Sequence, residues 1–407
     1  MTRRAALPLL SLTIACGGAE LAPRPSDVSP RAVAEPELAA LLARYDAMHP
    51  GAAKDALAGR IDRAAGQRYA VWSRLYWHRD LESAMAEARA TGKPILSLRM
   101  LGRLDDDLSC ANSRFFRVAL YANREVSAYL REHFILHWSS ERPVPVARID
   151  FGDGRVLLRT VAGNSAHYLL DAKGRPVDVL PGLYSPALFI ETLERARELA
   201  VRAGGLDDAA LADELAAYHG AWAEETRARF AGLGTIQSGD GNTIAADERQ
   251  AVSKAAVELP VVRQLRLGTD LALDAAAVDK SESTWNQIGA LLAGKVGHAA
   301  LDARSRALFA ALRPADWARA GQPLPDAGVD ELIASFEKVM TRDAAYNELV
   351  LHQQIHARFT GGGPTGFAAL NRWVYASLFR TPAEDPWLGM ATEGVFSGIP
   401  DDGIVMR

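Results

Sequence analysis

The chain has 407 residues, which is enough for two or three domains of ordinary size. Apolar residues make up 49% of the sequence and charged residues 24%, values that are typical of a globular protein and exclude an intrinsically disordered chain. The formal net charge of −4 and the lack of a long basic run argue against a nucleic-acid partner. Beyond the N-terminus, no apolar run is long enough to span a bilayer.

Residues 1–15 have the layout of a secretory signal. Arg3 and Arg4 supply positive charge, an apolar stretch follows, and small residues surround Cys16. The segment resembles a bacterial lipoprotein signal, although Thr13 stands where such signals usually have leucine. The resemblance implies that Cys16 is acylated and that the protein is exported to the periplasm or cell surface, with a lipid as its membrane anchor. The alternative is an ordinary cleaved signal in which this cysteine has no role.

The remaining chain divides by composition. Residues 16–36 are rich in proline and small residues and predict a tether, and residues 37–68 predict a helical segment. The predicted elements of residues 69–204 are, in order, a strand at 71–77, a helix after Asp80, a strand at 94–98, a helix over 111–133 with a break at Asn123, a strand at 134–138, two hairpins with turns at 152–154 and 171–174, and a helix over 187–202 after Ser185.

The second half of the chain is rich in alanine and has helical periodicity. Residues 205–380 predict a mostly α-helical domain, and residues 381–407 an irregular tail. The predicted helices lie at 207–230, 247–257, 284–296, 298–312, 329–340, 343–358 and 367–379. The sequence therefore predicts an α/β domain with a central sheet, followed by a helical C-terminal domain.

Several motifs over residues 70–203 resemble a thioredoxin-like fold, in particular that of exported, DUF255-like thioredoxin relatives. They are Trp77 with the following helix, Gly92-Lys-Pro-Ile-Leu, a cysteine opening a helix, Asn123-Arg-Glu-Val, Glu132-His-Phe-Ile and Asp171-Ala-Lys-Gly-Arg-Pro. The chain departs from the family at two places. It reads Cys110-Ala-Asn-Ser113 where dithiol members have Cys-x-x-Cys, and residues 163–167 contain no counterpart of the family's cis-proline.

The resemblance implies thiol–disulfide chemistry at Cys110, because a thiol at the first turn of a helix is favoured as the thiolate. A serine cannot resolve a mixed disulfide. The predicted activity is therefore that of a monothiol isomerase or reductase, with Cys110 as nucleophile, Ser113 as a non-resolving partner and His167 as a group that could activate the thiol. The predicted substrate-binding residues are Asn164, Ser165, Ala166 and Arg114.

Protein thiols and disulfides, or a low-molecular-weight thiol, are the expected partners of such an enzyme, and no cofactor is expected. The alternative is a redox-inactive binding or scaffold module at the cell envelope, in which Cys110 has no chemical role. A thiol that is reachable from solvent favours the first hypothesis, and a thiol sealed in apolar packing favours the second.

Two further motifs contain residue types that can bind a metal ion. Asp105-Asp-Asp107 is more typical of a solvated acidic turn, since no partner at ligand spacing follows it. His352 and His356 lie one helical turn apart and could share a metal ion. Gln353 stands where a zincin motif requires glutamate, so the sequence favours ordinary surface or core histidines and predicts no metal site.

Overall fold

The computed structural model describes residues 35–161, 164–230, 294, 296–312, 328–362, 366–379, 381, 384 and 386. The predicted signal segment and Cys16 lie outside these residues, as do the predicted helix at 247–257, nearly all of that at 284–296 and most of the C-terminal tail. The helical segment predicted at 37–68 is confirmed, and it contains the helices α1 (Glu35–Ala47) and α2 (Ala52–Ala65).

A mixed four-stranded sheet lies at the centre of the fold, with strand order β2-β1-β5-β6. Its strands are β1 (Ile95–Leu101), β2 (Ile135–Arg142), β5 (Ala166–Leu170) and β6 (Pro176–Pro181). β1 pairs with β2 in parallel and with β5 antiparallel, and β6 pairs antiparallel with β5. β3 (Val146–Asp150) and β4 (Val156–Thr160) form a separate two-stranded ribbon. Both predicted hairpins are thus confirmed.

The predicted strand at 71–77 is wrong. The segment begins with a short helix, α3 (Ala70–Ser73), and its only ladder contact is an isolated bridge between His78 and His137. The backbone N–H of Ala70 donates to the Asp62 carboxylate at 2.8 Å, which helps to start the helical turn. Trp77 is buried and donates its indole N–H to Gln67 at 2.7 Å. The aromatic residues of the segment 71–77 pack in or against the hydrophobic core. Their enrichment therefore indicated burial and not strand pairing.

The helix after Cys110 is confirmed, including its break. It begins as α5 (Ala111–Phe115), continues through a π-helical turn at Phe116–Leu120, and resumes as α6 (Arg124–His133). The Asn123 side chain accepts a hydrogen bond from the Val126 N–H at 3.0 Å, so it caps the second segment. The helix before β1 is α4 (Leu81–Thr91), capped by Asp80 as predicted.

Helices form most of the described chain after β6. They are α7 (Pro186–Ala203), α8 (Asp208–Phe230), α9 (Ala303–Leu312), α10 (Val329–Tyr346), α11 (His352–Thr360) and α12 (Phe367–Trp373). A π-helical turn at Asn347–Leu351 joins α10 to α11, so the two helices predicted at 329–340 and 343–358 are one continuous helical run. Another π-helical turn, Val374–Leu378, extends α12.

One hydrophobic core joins the central sheet to the C-terminal helices. Its buried members include Trp77 and Leu96 of the first half and Met340, Ile355 and Val374 of the second. The core is therefore continuous across the boundary predicted near residue 204. None of the helices in the described part of the chain is long and apolar enough to cross a membrane.

Candidate functional site

Cys110 lies where the sequence places it, at the N-cap of α5. Its thiol is not reachable from solvent. The residue has 0% of its surface exposed and belongs to the main hydrophobic core. The helix therefore begins at the predicted place, but the thiol lacks the solvent access that the monothiol hypothesis requires.

Ser165 covers the Cys110 sulfur. Its hydroxyl oxygen lies 2.8 Å from Sγ, and the serine itself is fully buried. It directly precedes Ala166, the first residue of β5, in the loop that was predicted to face the substrate. The structure therefore brings Cys110 and Ser165 together as predicted, but as a buried pair.

The rest of this loop is held on both sides. Asn112 of α5 donates to the Asn164 side chain at 3.0 Å. Tyr375, from the π-helical turn after α12, donates its hydroxyl to the Asn164 carbonyl at 3.1 Å. Because Asn164 and Tyr375 are both buried, the C-terminal helices help to bury Cys110. We call Cys110, Asn112, Asn164, Ser165 and Tyr375 the Cys110 pocket.

Ser113, the predicted non-resolving partner of Cys110, makes local contacts. Its hydroxyl lies 2.7 Å from the Ser109 hydroxyl and 2.9 Å from the Cys110 carbonyl oxygen. It is fully buried. Ser113 therefore stabilises the first turn of α5 and the loop before it.

His167 does not form the expected pair with Cys110. Its Nε2 lies 2.6 Å from the Tyr121 hydroxyl, and its ring packs against Phe116 and Phe189. No hydrogen bond joins it to the sulfur among the described residues. Burial lowers the pKa of His167 to about 3, so the imidazole is neutral at physiological pH and is built into the core.

Arginines hold the loop before α5. Arg114 donates to the Ser109 carbonyl at 3.1 Å and to the Thr160 hydroxyl at 2.9 Å. Arg117 is fully buried and donates to the Asp106 carbonyl at 2.5 Å and to the Ser109 hydroxyl at 3.1 Å. Burial lowers the pKa of Arg117 to about 10, which leaves it charged at neutral pH. Arg114, predicted to bind substrate, thus has structural partners.

The acidic turn is organised by ion pairs. Asp105 accepts from Arg79 at 2.8 Å, and Asp107 accepts from Arg68 at 2.8 Å. The Asp106 side chain accepts from a backbone N–H within the turn at 3.1 Å. Asp107 is exposed, whereas Asp105 is nearly buried, so only part of the turn is solvated as expected.

The two histidines of the C-terminal half are core residues, and they meet partners that the sequence analysis missed. His352 lies between two carboxylates: its Nε2 is 2.8 Å from Asp178 and its Nδ1 is 2.9 Å from Glu348. His356 lies against His219 of α8, with the two Nδ1 atoms 2.8 Å apart. We call these five residues the histidine cluster; all of them are buried.

Only part of the histidine cluster could be predicted from the sequence. Glu348, His352 and His356 recur every four residues, a spacing that places them on one helix face. Asp178 and His219 lie 174 and 137 residues away from their histidine partners. Without a fold, nothing in their local sequence connects them to that face.

The charged groups of the histidine cluster meet at His352. Burial disfavours its charged form, but the carboxylates of Asp178 and Glu348 outweigh burial and raise the pKa of His352 to about 10. The residue is therefore an imidazolium at neutral pH, and both of its N–H groups donate. Burial alone would raise the pKa of Asp178, whereas the charge of His352 lowers it below its ordinary value, so Asp178 is ionised.

Comparisons of the chain with protein-family models, with curated proteins and with solved structures found no match.

Proposed function

We propose that the chain is a thioredoxin-like binding module of the cell envelope in which Cys110 is a structural residue and exchanges no disulfides. The order of helices and strands over residues 70–203, described above, supports a thioredoxin-like domain in which the first strand is replaced by α3 and a single bridge. The lipoprotein-type signal of residues 1–15 supports export and a lipid anchor at Cys16.

The burial of the Cys110 sulfur carries this proposal. Thiol–disulfide exchange requires a thiolate to reach a disulfide sulfur directly. With none of Cys110 exposed and the Ser165 hydroxyl 2.8 Å from its sulfur, a protein disulfide has no approach to this atom. Ser113 and His167, the two residues that would assist the chemistry, are engaged with Ser109 and Tyr121 instead.

The β3–β4 ribbon supports a binding role. Most of the large exposed hydrophobic side chains in the described residues lie on it, namely Val146, Phe151, Val156 and Leu158. Register pairs Val146 with Thr160 and Arg148 with Leu158, which places Val146 and Leu158 on the same face of the ribbon. Arg148 and Asp150 share this face, and a cluster of exposed apolar side chains beside charged ones is typical of a surface that contacts another molecule.

Activity assays test the structural role of the thiol. The parent chain and a Cys110→Ser variant are compared in insulin reduction and in disulfide isomerisation, both in a Cys16→Ser background so that Cys110 is the only thiol. We expect no activity above the uncatalysed rate in either protein. Turnover in the parent that disappears in Cys110→Ser would overturn the proposal and support the monothiol enzyme.

The anchor has its own test. Expressed with its signal in a bacterial host, the full chain should partition into membranes, and Cys16→Ser should appear in the soluble exported fraction. A Cys16→Ser protein that remains in the membrane fraction would contradict the lipid anchor without bearing on the role of Cys110.

A further inference from the structure

The histidine cluster lies where the edge strand of the sheet meets two C-terminal helices. Asp178 belongs to β6, His219 to α8 and His356 to α11. One side-chain ligand atom from each of these three residues lies within 4.8 Å of the other two, and all three residues are buried. The cluster is separate from the Cys110 pocket, whose residues come from the start of α5, the loop before β5 and the π-helical turn after α12.

His219 is oriented like a metal-binding histidine. Its Nε2 lies 3.0 Å from the Val177 carbonyl oxygen, so this nitrogen carries the proton and donates it. Val177 lies at a register shift in the pairing of β5 with β6. The Nδ1 of His219 is left with a lone pair. A backbone carbonyl that fixes the protonated nitrogen, and so turns the other toward a metal, is the usual outer contact of a histidine ligand.

His356 has more hydrogen-bonding capacity than the protein uses. Its Nδ1 is 2.8 Å from the lone pair of His219 and must carry the proton between them. Its Nε2 is then an acceptor, and this buried atom has no partner among the described residues. This free acceptor can take the proton that Nδ1 of His356 must release before Nδ1 binds an ion.

Asp178 supplies the third ligand group, a carboxylate. Its Oδ1 accepts from His352 at 2.8 Å and from the Val179 N–H at 2.7 Å, while its Oδ2 accepts from the Tyr218 hydroxyl at 3.5 Å.

We propose that Asp178, His219 and His356 bind a divalent transition-metal ion of the zinc type, at a buried site that fastens α8 and α11 to β6. Two imidazole nitrogens and one carboxylate favour such an ion over Mg²⁺ or Ca²⁺, which prefer oxygen ligands throughout. Two nitrogens that share a tetrahedral ion at about 2.0–2.1 Å lie about 3.3 Å apart. The two Nδ1 atoms of His219 and His356, now 2.8 Å apart, need to separate only slightly to admit it, and His356 then carries its proton on Nε2.

His352 lies between Asp178 and Glu348. It holds Oδ1 of Asp178 and leaves Oδ2 for the metal, so His352 and Glu348 act as positioning residues.

Zinc titration of the full chain, purified in detergent and stripped with a chelator, tests the site. We expect one Zn²⁺ per chain by calorimetry and metal analysis, and a higher Tm in the zinc-loaded protein. His219→Gln and His356→Gln should each weaken zinc binding by more than about 100-fold, since outer contacts of a metal site alone are worth about 10–100-fold. Mg²⁺ should not compete.

The control is His167→Gln, which alters another fully buried histidine of the same sheet that is bonded to Tyr121. It should bind zinc like the parent. Absence of stoichiometric zinc binding in the parent, or unchanged binding in both ligand variants, would overturn the proposal.

A cobalt spectrum keeps the test independent of how the variants fold. Co²⁺ added to the parent chain should give the visible d–d bands of a low-symmetry nitrogen and oxygen site without a thiolate charge-transfer band. A spectrum of free hexaaqua Co²⁺ would contradict the site. A thiolate band would place the ion at a cysteine and contradict it equally.

Discussion

The Cys110 pocket and the histidine cluster are both buried and polar, yet they differ in charge and in hydrogen bonding. In the pocket, the Cys110 sulfur lies 2.8 Å from the Ser165 hydroxyl oxygen. In the cluster, an imidazolium lies between two carboxylates, and three ligating side chains from different elements meet. A residue type known for reactivity can therefore be part of the packing, whereas a buried group of charged and ligating side chains points to a further role.

Removing the Asp178 carboxylate should have the largest effect on stability. Asp178→Asn leaves the His352 imidazolium buried with one carboxylate in place of two, and breaking a buried ion pair costs about 3–5 kcal/mol. Urea unfolding of the metal-free chain measures the loss. The control is Asp150→Asn in the exposed ribbon, where Asp150 pairs with Arg148 at 3.1 Å and the expected loss is at most about 1 kcal/mol. Equal losses in the two variants would show that the cluster is not the more strongly coupled site.

Acid should destabilise the fold through its neutral buried histidines. Burial lowers the folded-state pKa of His167 and of His137 to about 3, against about 6.5 in the unfolded chain. Below pH 6.5 the unfolded chain therefore binds protons that the folded chain does not, so stability is greatest above pH 6.5 and falls as the pH drops toward 3. Between pH 6.5 and pH 5, each of the two histidines should lower the free energy of unfolding by about 1.6 kcal/mol.

The variant His167→Gln isolates one of these contributions. Guanidinium unfolding at several pH values should give a shallower pH dependence in the variant than in the parent, by about 1.4 kcal/mol per pH unit at most. Parallel pH profiles would contradict a neutral, buried His167 and would reopen its role beside the thiol.

Substitutions at Cys110 should have a moderate effect that depends on size more than on sulfur chemistry. Cys110→Ala removes the buried sulfur and leaves the Ser165 hydroxyl without this partner, which should cost about 1–2 kcal/mol. Cys110→Ser keeps a hydroxyl that can bond to Ser165 and should cost less. Thermal unfolding of both variants checks the order, and a serine variant that is clearly the less stable of the two would contradict the hydrogen-bonded packing described here.

Changes on the ribbon should have the smallest effect on the fold. Val146→Ser and Leu158→Ser together remove apolar surface that is already exposed, so the stability should stay within about 0.5 kcal/mol of the parent. A loss well beyond this value would mean that the face packs within the protein, and the ribbon would no longer support a binding role.

Local patterns predicted most of the described elements. Ser185 before α7, Asn123 before α6 and Asp80 before α4 each accept the capping hydrogen bond expected of their type. The hairpin turns followed from Gly-Asp-Gly at 152–154 and from Asp-Ala-Lys-Gly at 171–174, because both combine turn-forming residues with glycines in the left-handed region. Such signals depend only on neighbours in sequence, which explains why they were readable.

What the sequence did not predict depends on distant contacts. Trp77 was predicted to lie in a strand, but its indole N–H donates to Gln67 and its ring packs in the hydrophobic core. Whether the Cys110 thiol is exposed depends on Ser165, which contacts the sulfur from the loop before β5, and on Tyr375, which holds that loop from the π-helical turn after α12. Likewise Asp178 and His219 become partners of the C-terminal histidines only when α8 and α11 pack on β6.

The rate of native-state thiol labelling tests the sealed thiol most directly. The Cys16→Ser chain is treated with iodoacetamide in its folded state and again in guanidinium, so that Cys110 is the only thiol modified. If the thiol reacts only through global opening, labelling of the folded chain should be slower by at least about 10³-fold, the lower end of folding equilibrium constants for small domains. A folded-state rate close to that of the unfolded chain would contradict the account and return Cys110 to the role of a nucleophile.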